Sequence, residues 1–195
     1  MRLVSPIAIL LIALSTPARA QEPPRVEVFG GYSFLRFEGG GSLHGWNASV
    51  AINFNRYVGL ATDFSGHYGS QSLTLVVSNP LFPGMITVKS DSDTSVHTLL
   101  TGPRLSYRKN ERLTPFAHTL FGVSHLRTKA VSTVGDLSSE INFGDNAFTM
   151  AIGGGLDLKL SESIGLRLIQ ADYLLTRFGG GTQGNARISV GLVLH

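Results

Sequence analysis

The sequence predicts an all-β fold: an eight-stranded antiparallel up-and-down β-barrel that crosses a membrane. Three observations predict it. Apolar residues recur with period two in eight segments and no amphipathic helical pattern competes with them. The links between segments alternate between short and long. Charged residues make up only 15% of the chain, against about 25% in an average soluble domain, and 23 residues are glycine.

Residues 1–20 read as a secretory signal peptide. Arg2 precedes a short apolar run from Ile7 to Leu14, and Ala18-Arg19-Ala20 supplies the small residues of a cleavage site. The run is much shorter than the roughly 20 residues of a membrane-spanning helix. The barrel domain is expected over residues 21–195, beginning at Gln21. Without Arg2 and Arg19, the 16 Lys+Arg fall to 14 against 13 Asp+Glu, so the mature chain has no basic excess for nucleic acid. Cysteine is absent, so an exported fold must close on itself without disulfides.

The candidate strands fall near 25–36, 44–54, 56–68, 95–108, 113–127, 146–160, 163–177 and 185–195. Each has the roughly 9–11 residues, or a few more, that a tilted strand needs to cross a bilayer. Short turns are expected around Asn55, over Lys109 to Arg112 and at Ser161-Glu162, and longer links over Phe37–Leu43, Gly69–Thr94, Thr128–Asp145 and Phe178–Gly184. Short turns on one side and long loops on the other are the topology of an outer-membrane barrel, with both termini on the short-turn, periplasmic side. In the second long link, SLTLVV and MITVKS flank Pro80, Pro83 and Gly84 and predict a hairpin reaching beyond the bilayer.

The stretch HGWNASVAINFN, His44 to Asn55, shows the two faces: Trp46, Val50, Ile52 and Phe54 on one, Asn47, Ser49 and Asn53 on the other. Elsewhere the apolar face carries Val26, Val28, Tyr32, Leu60, Phe64, Leu99, Leu105, Ile152, Ile188, Val190 and Leu192. The second face is small and polar and holds nearly every strand charge. A solvated sheet face would show Lys, Glu and Thr, whereas the narrow lumen of eight strands needs small side chains and internally paired charges. The apolar face is therefore assigned to lipid. Glu27, Asp63 and Asp157 are expected to meet Arg104, Lys159, Arg167 and Arg187 inside, because a buried charge left unpaired is costly. Trp46, Phe54, Tyr57, Tyr68, Tyr107, Phe116, Phe148 and Phe178 suit interfacial girdles.

Two segments break the alternation. In IGLRLIQADYLLTRF, Arg167 and Asp172 have opposite parity; either a bulge near Ile169-Gln170 returns both to the lumen, or Asp172 lies above the membrane rim. In TPFAHTLFGVSHLR, Phe116, Leu120, Phe121 and Val123 occupy both parities, so its facing stays open.

VEVFGGYSFLR, TGPRLSYR, PFAHTLFGVSH and IGGGLDLKL resemble the OmpA-type outer-membrane β-barrel domain family over nearly the whole mature chain. The resemblance implies an eight-stranded outer-membrane barrel, surrounded by outer-membrane lipid and lipopolysaccharide and inserted by the barrel assembly machinery. It rests on Gly-aromatic alternations and speaks to fold. A small barrel without the peptidoglycan-binding domain of the full-length type is expected, and the last strand, ISVGLVLH, ends in His195 where the family usually has an aromatic residue.

No constellation requires catalysis, a cofactor or a metal. His118 and His125 are seven apart and point to opposite faces of a regular strand; His44, His67 and His97 lie near strand ends. No G-x-S-x-G elbow is present. His67 with Ser65, or His125 with Ser124, are the candidates for a lipid A acyltransferase or deacylase. The triplets Gly39–Gly41, Gly153–Gly155 and Gly179–Gly181 lack the context of a phosphate cradle. Asn47-Ala48-Ser49 lies mid-strand, unsuited to glycosylation. The expected function is a structural or interaction role with a largely plugged lumen, against a lipid-modifying enzyme, a narrow pore, or a soluble lipocalin-like binder with its apolar face inward. No external partner is identified by these features.

Overall fold

The computed structural model describes residues 24–78, 85–110, 112–134, 137–178 and 181–195; the signal segment, the start at Gln21 and Pro80, Pro83 and Gly84 lie outside them. Eight strands follow one another: β1 Val26–Phe37, β2 Ser42–Asn53, β3 Val58–Ser78, β4 Met85–Ser106, β5 Leu113–Val134, β6 Leu137–Lys159, β7 Ile164–Phe178 and β8 Gly181–Leu194. Each pairs antiparallel with its neighbours, and β8 pairs with β1 from Val28↔Leu194 to Phe37↔Asn185, closing the barrel. Closure matters in hydrocarbon, where an open edge leaves N–H and C=O groups without partners at several kcal/mol each.

The three turns at the periplasmic end share one device. Asn55 Oδ1 accepts from the N–H groups of Tyr57 and Val58, Asn110 Oδ1 from Arg112 and Leu113, and Ser161 Oγ from Ile164. A short side chain that caps its own following backbone is a compact way to reverse the strand. At the outer β1–β2 turn, Gly40 and Gly41 sit at φ 88° and 89°, which a side chain rarely tolerates.

The strands are unequal. β3 to β6 have 21, 22, 22 and 23 residues, whereas β1, β2, β7 and β8 have 12, 12, 15 and 14. The β3–β4 hairpin runs to Ser78↔Met85, as SLTLVV and MITVKS predict. Two long links are corrected. Residues expected as a loop over Thr128–Asp145 pair as a second hairpin out to Val134↔Leu137, because Val131, Val134, Leu137 and Ile141 continue a strand-forming pattern among serines and threonines. The Phe178–Gly184 link shrinks, since β7 reaches Phe178 and β8 starts at Gly181. Beyond Tyr68 on β3 and Thr149 on β6, pairing with β2 and β7 ceases and a four-stranded open sheet projects outward.

Burial settles the facing. Val28, Tyr32, Val50, Ile52, Leu60, Phe64, Leu99, Leu105, Ile152, Ile188, Val190 and Leu192 are all exposed on the outside. Ser33, Asn47, Asp63, Ser65 and Ser189, of the opposite parity, are almost completely buried. Trp46 packs edge-on against Phe64 on the outer surface, with ring centroids 5.0 Å apart. Of the girdle aromatics, Trp46, Phe54, Tyr57, Tyr68, Tyr107 and Phe148 are exposed, and the side chain of Phe178 is outside the described ones.

Two expectations about the interior change. Phe116 is not in a girdle but turns inward, and this fixes β5: Phe116, His118 and Leu120 face the lumen while Phe121 and Val123 face out. The inner face is also less uniformly small and polar than its parity suggested, because Phe29, Leu35, Leu43, Leu100, Leu120 and Leu174 are buried there. Eight strands leave an interior about wide enough for side chains, and Leu35, Leu43, Leu100, Leu120 and Leu174 pack there in one cluster with Ala51, Ala61 and Ala151.

Candidate functional site

The lumen is organised around four guanidinium groups and four carboxylates. At the periplasmic end Arg104 bridges Glu27 at 2.9 Å and Asp157 at 3.0 Å, Arg108 pairs with Glu27, and Arg167 reaches Asp157 at 2.8 Å. Asn53 Nδ2 donates to Glu27 at 3.1 Å. Nearer the middle Arg187 donates to Asp63 and Asp172, both at 2.7 Å, and to Ser65 at 3.1 Å. His118 Nε2 meets Asp172 at 2.8 Å, and Asn47 Nδ2 donates to Asp63 at 2.8 Å. Arg187 is 0% exposed. Such groups are tolerated because each buried charge meets at least one group of opposite charge.

Gln170 joins the two clusters. It accepts from Arg167 Nη1 at 2.6 Å and donates from Nε2 to Asp172 at 2.8 Å. The chain of contacts from Glu27 through Arg104, Asp157, Arg167, Gln170, Asp172 and Arg187 to Asp63 is therefore continuous. A bulge makes it so. Arg167 pairs with Gly191 and Gln170 with Ser189, so Leu168 and Ile169 occupy the place of one pairing step and both face outward. The irregularity lies at Leu168-Ile169, a residue earlier than the sequence suggested, and it returns Arg167, Gln170 and Asp172 to the lumen while leaving Tyr173 outside.

The glycine triplet of β6 makes room for this network. A Cβ on Gly153 would stand 2.2 Å from Asp172 Oδ1, and one on Gly155 would stand 2.8 Å from the Phe116 ring. Phe116 is held between two cations, with Arg104 4.1 Å and Arg167 4.4 Å from its centroid, and Phe29 lies 4.2 Å from Arg167. Stacking on ring faces covers guanidinium surfaces that the carboxylates leave bare.

Of the seven charges expected inside, Glu27, Asp63, Arg104, Asp157, Arg167 and Arg187 are buried and joined by the contacts above. Lys159 is different. It ends β6 with its side chain 28% exposed and pairs with Glu162 in the following turn at 3.0 Å, because a strand's last residue reaches water and a long ammonium side chain follows it. Sequence reasoning missed Arg108, His118 and Gln170. Arg108 and His118 have inward parity in their segments; Gln170 gains it only through the bulge.

Above the ions, an apolar cluster begins at Leu35 and Leu43, at the outer ends of β1 and β2, and continues through Val96, Leu100, Leu120 and Leu174, with Phe37 and Leu126 packed against it. Across β4, β5 and β6 hydroxyls connect Thr98 to Ser124 and Ser124 to Thr149, each at 2.8 Å.

The candidate catalytic pairs separate. His67 bonds Ser33 at 2.8 Å with both buried, not Ser65. Ser124 faces the lumen while His125 faces outward and bonds Asn146. Among the described residues no three His, Asp or Glu side chains are placed to hold a metal ion.

Comparisons place this architecture. A family model described as "Outer membrane protein beta-barrel domain" matches residues 7–195. Ail of Yersinia pestis, crystallised with the heparin analogue sucrose octasulfate, superposes with a TM-score of 0.55 at 16% identity, covering 86% of this chain and 97% of Ail. OprG of Pseudomonas aeruginosa gives a TM-score of 0.47 at 13% identity, covering 87% and 94%, and the neisserial surface protein NspA gives 0.46 at 10%, covering 87% and 94%. No curated protein sequence matches. The exposed apolar belt of a closed eight-stranded barrel thus has lipid as its solvent, and the chain belongs to the outer-membrane protein β-barrel domain family.

Proposed function

We propose that this protein is a non-catalytic structural and interaction barrel, closed to ions along its axis and offering its projecting sheet to the outside. The observation that supports the reading is what the inner face carries: ion pairs from Glu27 to Asp63 at its lower and middle levels, and the buried Leu35–Leu43–Leu174 cluster toward its outer mouth. An apolar constriction resists hydration and ions, and breaking a buried ion pair to open a path is costly. The same burial argues against a lipid-modifying enzyme, since Ser33 and His67 are 0% and 1% exposed and meet no substrate. Planar-bilayer recording tests it: the wild type should give no sustained conductance, and steady single-channel steps would overturn it. Unchanged lipid A mass spectra on expression are expected in parallel.

External contacts are assigned to the extension of β3–β6. Its outer face carries both signs, with Lys89, Asp91, Asp93, Lys129 and Glu140, and Lys129 pairs with Glu140 at 3.1 Å. A partner of mixed charge suits it better than a pure polyanion. Lipopolysaccharide surrounds the upper barrel in this reading, and the barrel assembly machinery inserts it, with the half-buried His195 in the place of the usual terminal aromatic.

A further inference from the structure

The outer surface of β4–β6 changes character in four cross-strand rows. Leu99, Val123 and Phe148 form an exposed apolar row; His97, His125 and Asn146 form the next; Ser95, Arg127 and Gly144 the third; Asp93, Lys129 and Asn142 the fourth. Rows lie two residues apart, roughly 7 Å along the strand. The first row belongs in hydrocarbon, and the fourth, with the Lys129–Glu140 pair, belongs in water. The second and third therefore stand at headgroup level.

The second row is held in place. His125 Nδ1 bonds Asn146 Oδ1 at 2.8 Å, and His97 Nε2 bonds the Tyr68 hydroxyl at 3.0 Å. In the third row Arg127 is exposed and makes no hydrogen bond, ion pair or ring contact with the described residues. Its neighbour Gly144 leaves the surface open: a Cβ there would meet nothing nearer than 3.8 Å. A guanidinium without a carboxylate, beside a bare glycine and one row above an ordered imidazole and amide, is a receptor for a tetrahedral oxyanion. At this depth in the outer leaflet that oxyanion is a lipid phosphate.

We propose that Arg127, with Gly144 beside it and His125 and Asn146 in the row below, binds a phosphate group of lipid A on the lipid-facing side of the barrel. The site deepens the lipopolysaccharide reading above and rests on it. Detergent-folded full-length protein would be titrated with bis-phosphorylated lipid A, with lipid A lacking both phosphates, and with phosphatidylglycerol. Wild type should prefer the bis-phosphorylated form, and Arg127→Gln should weaken its binding about tenfold, the loss of one charge-assisted contact. Arg56→Gln, at a periplasmic turn, should leave it unchanged, and heat-modifiable gel mobility should show both variants folded. Equal affinity of Arg127→Gln and wild type for bis-phosphorylated lipid A would overturn the site, as would equal affinity of wild type for phosphatidylglycerol. If wild type binds the phosphate-free lipid as tightly, the site falls but the lipid partnership stands; if it binds neither form of lipid A, both fall.

Discussion

The same four strands, β3 to β6, obey opposite rules at their two ends. In the barrel the outward face of β6 carries Phe148 and Ile152, and the inward face Thr149, Ala151, Gly153 and Asp157. In the extension the outward face carries Ser138, Glu140 and Asn142, and Leu137, Ile141 and Phe143 occupy the continuation of the inward face. β3 makes the same exchange between Leu60 and Phe64 outside below and Leu73 and Leu75 inside above; β4 exchanges Leu99 for Asp91 and Asp93 outside. Backbone geometry is continuous through the exchange, so period two alone does not say which face is greasy. The solvent at each level does: hydrocarbon outside the barrel, water outside the sheet. The crossover at His97, His125 and Asn146 marks the outer membrane surface.

The largest effect should come from breaking the barrel's interior. Arg187→Ala strands Asp63 and Asp172 without their cation, and about 3–5 kcal/mol of stability should be lost, read as the shift in urea unfolding of the vesicle-folded protein. A loss below about 1 kcal/mol would mean water reaches those acids. Next comes the two-region contrast itself. Ile152→Arg, near the middle of the lipid-facing stretch of β6, should cost about 2–4 kcal/mol, whereas Ile141→Arg, 66% exposed on the extension, should stay within about 0.5 kcal/mol. Equal costs at both positions would erase the contrast.

A smaller change tests the bulge. Gln170→Leu cuts the bridge between the two ion clusters and should cost roughly 1–3 kcal/mol, since Arg167 and Asp172 each lose a buried hydrogen bond but keep their ion pairs. An unaltered unfolding midpoint would show that the clusters are independent.

The smallest effect lies in the extension. Glu140 accepts from Asn142 at 3.0 Å and pairs with Lys129, and these contacts hold its carboxyl below the ordinary glutamate value. A depressed carboxyl stabilises the fold above its unfolded value, and the contribution is lost as pH falls through the folded one. Titration followed by NMR should place Glu140 below 4.5, its ordinary value, with Asn142→Ala moving it back toward that value. At a fully solvated position this should leave barrel unfolding unmoved.

Legibility in the sequence divides along the same line. The barrel strands were readable because lipid sharpens alternation: Val26, Val28 and Tyr32 against Glu27 and Ser33 leave little doubt of parity. Six of the seven charges expected inside sit there because burial of charge selects partners of opposite sign on the same face. β7 is legible as a contradiction between Arg167 and Asp172, with a bulge as one of two ways out; the bulge's position is not, because Leu168, Ile169 and Gln170 give no turn signal. The second hairpin reads as a loop in the sequence because its alternation is reversed and diluted by Ser132, Thr133, Ser138 and Ser139. Phe116 was misplaced because an aromatic near a strand end looks like a girdle until Arg104 and Arg167 are seen on its ring faces.

The reversal of facing along a single strand is the central claim, and the absence of native cysteine makes β6 suited to test it. Single-cysteine variants from 138 to 152 would carry a nitroxide in lipid vesicles, with collisions measured against oxygen, enriched in hydrocarbon, and a water-soluble nickel chelate. Labels at 148, 150 and 152 should collide with oxygen and be hidden from nickel, those at 149 and 151 should be shielded from both, and those at 138, 140 and 142 should meet nickel. Nickel access at 148, 150 and 152, or oxygen-rich environments at 149 and 151, would contradict the account.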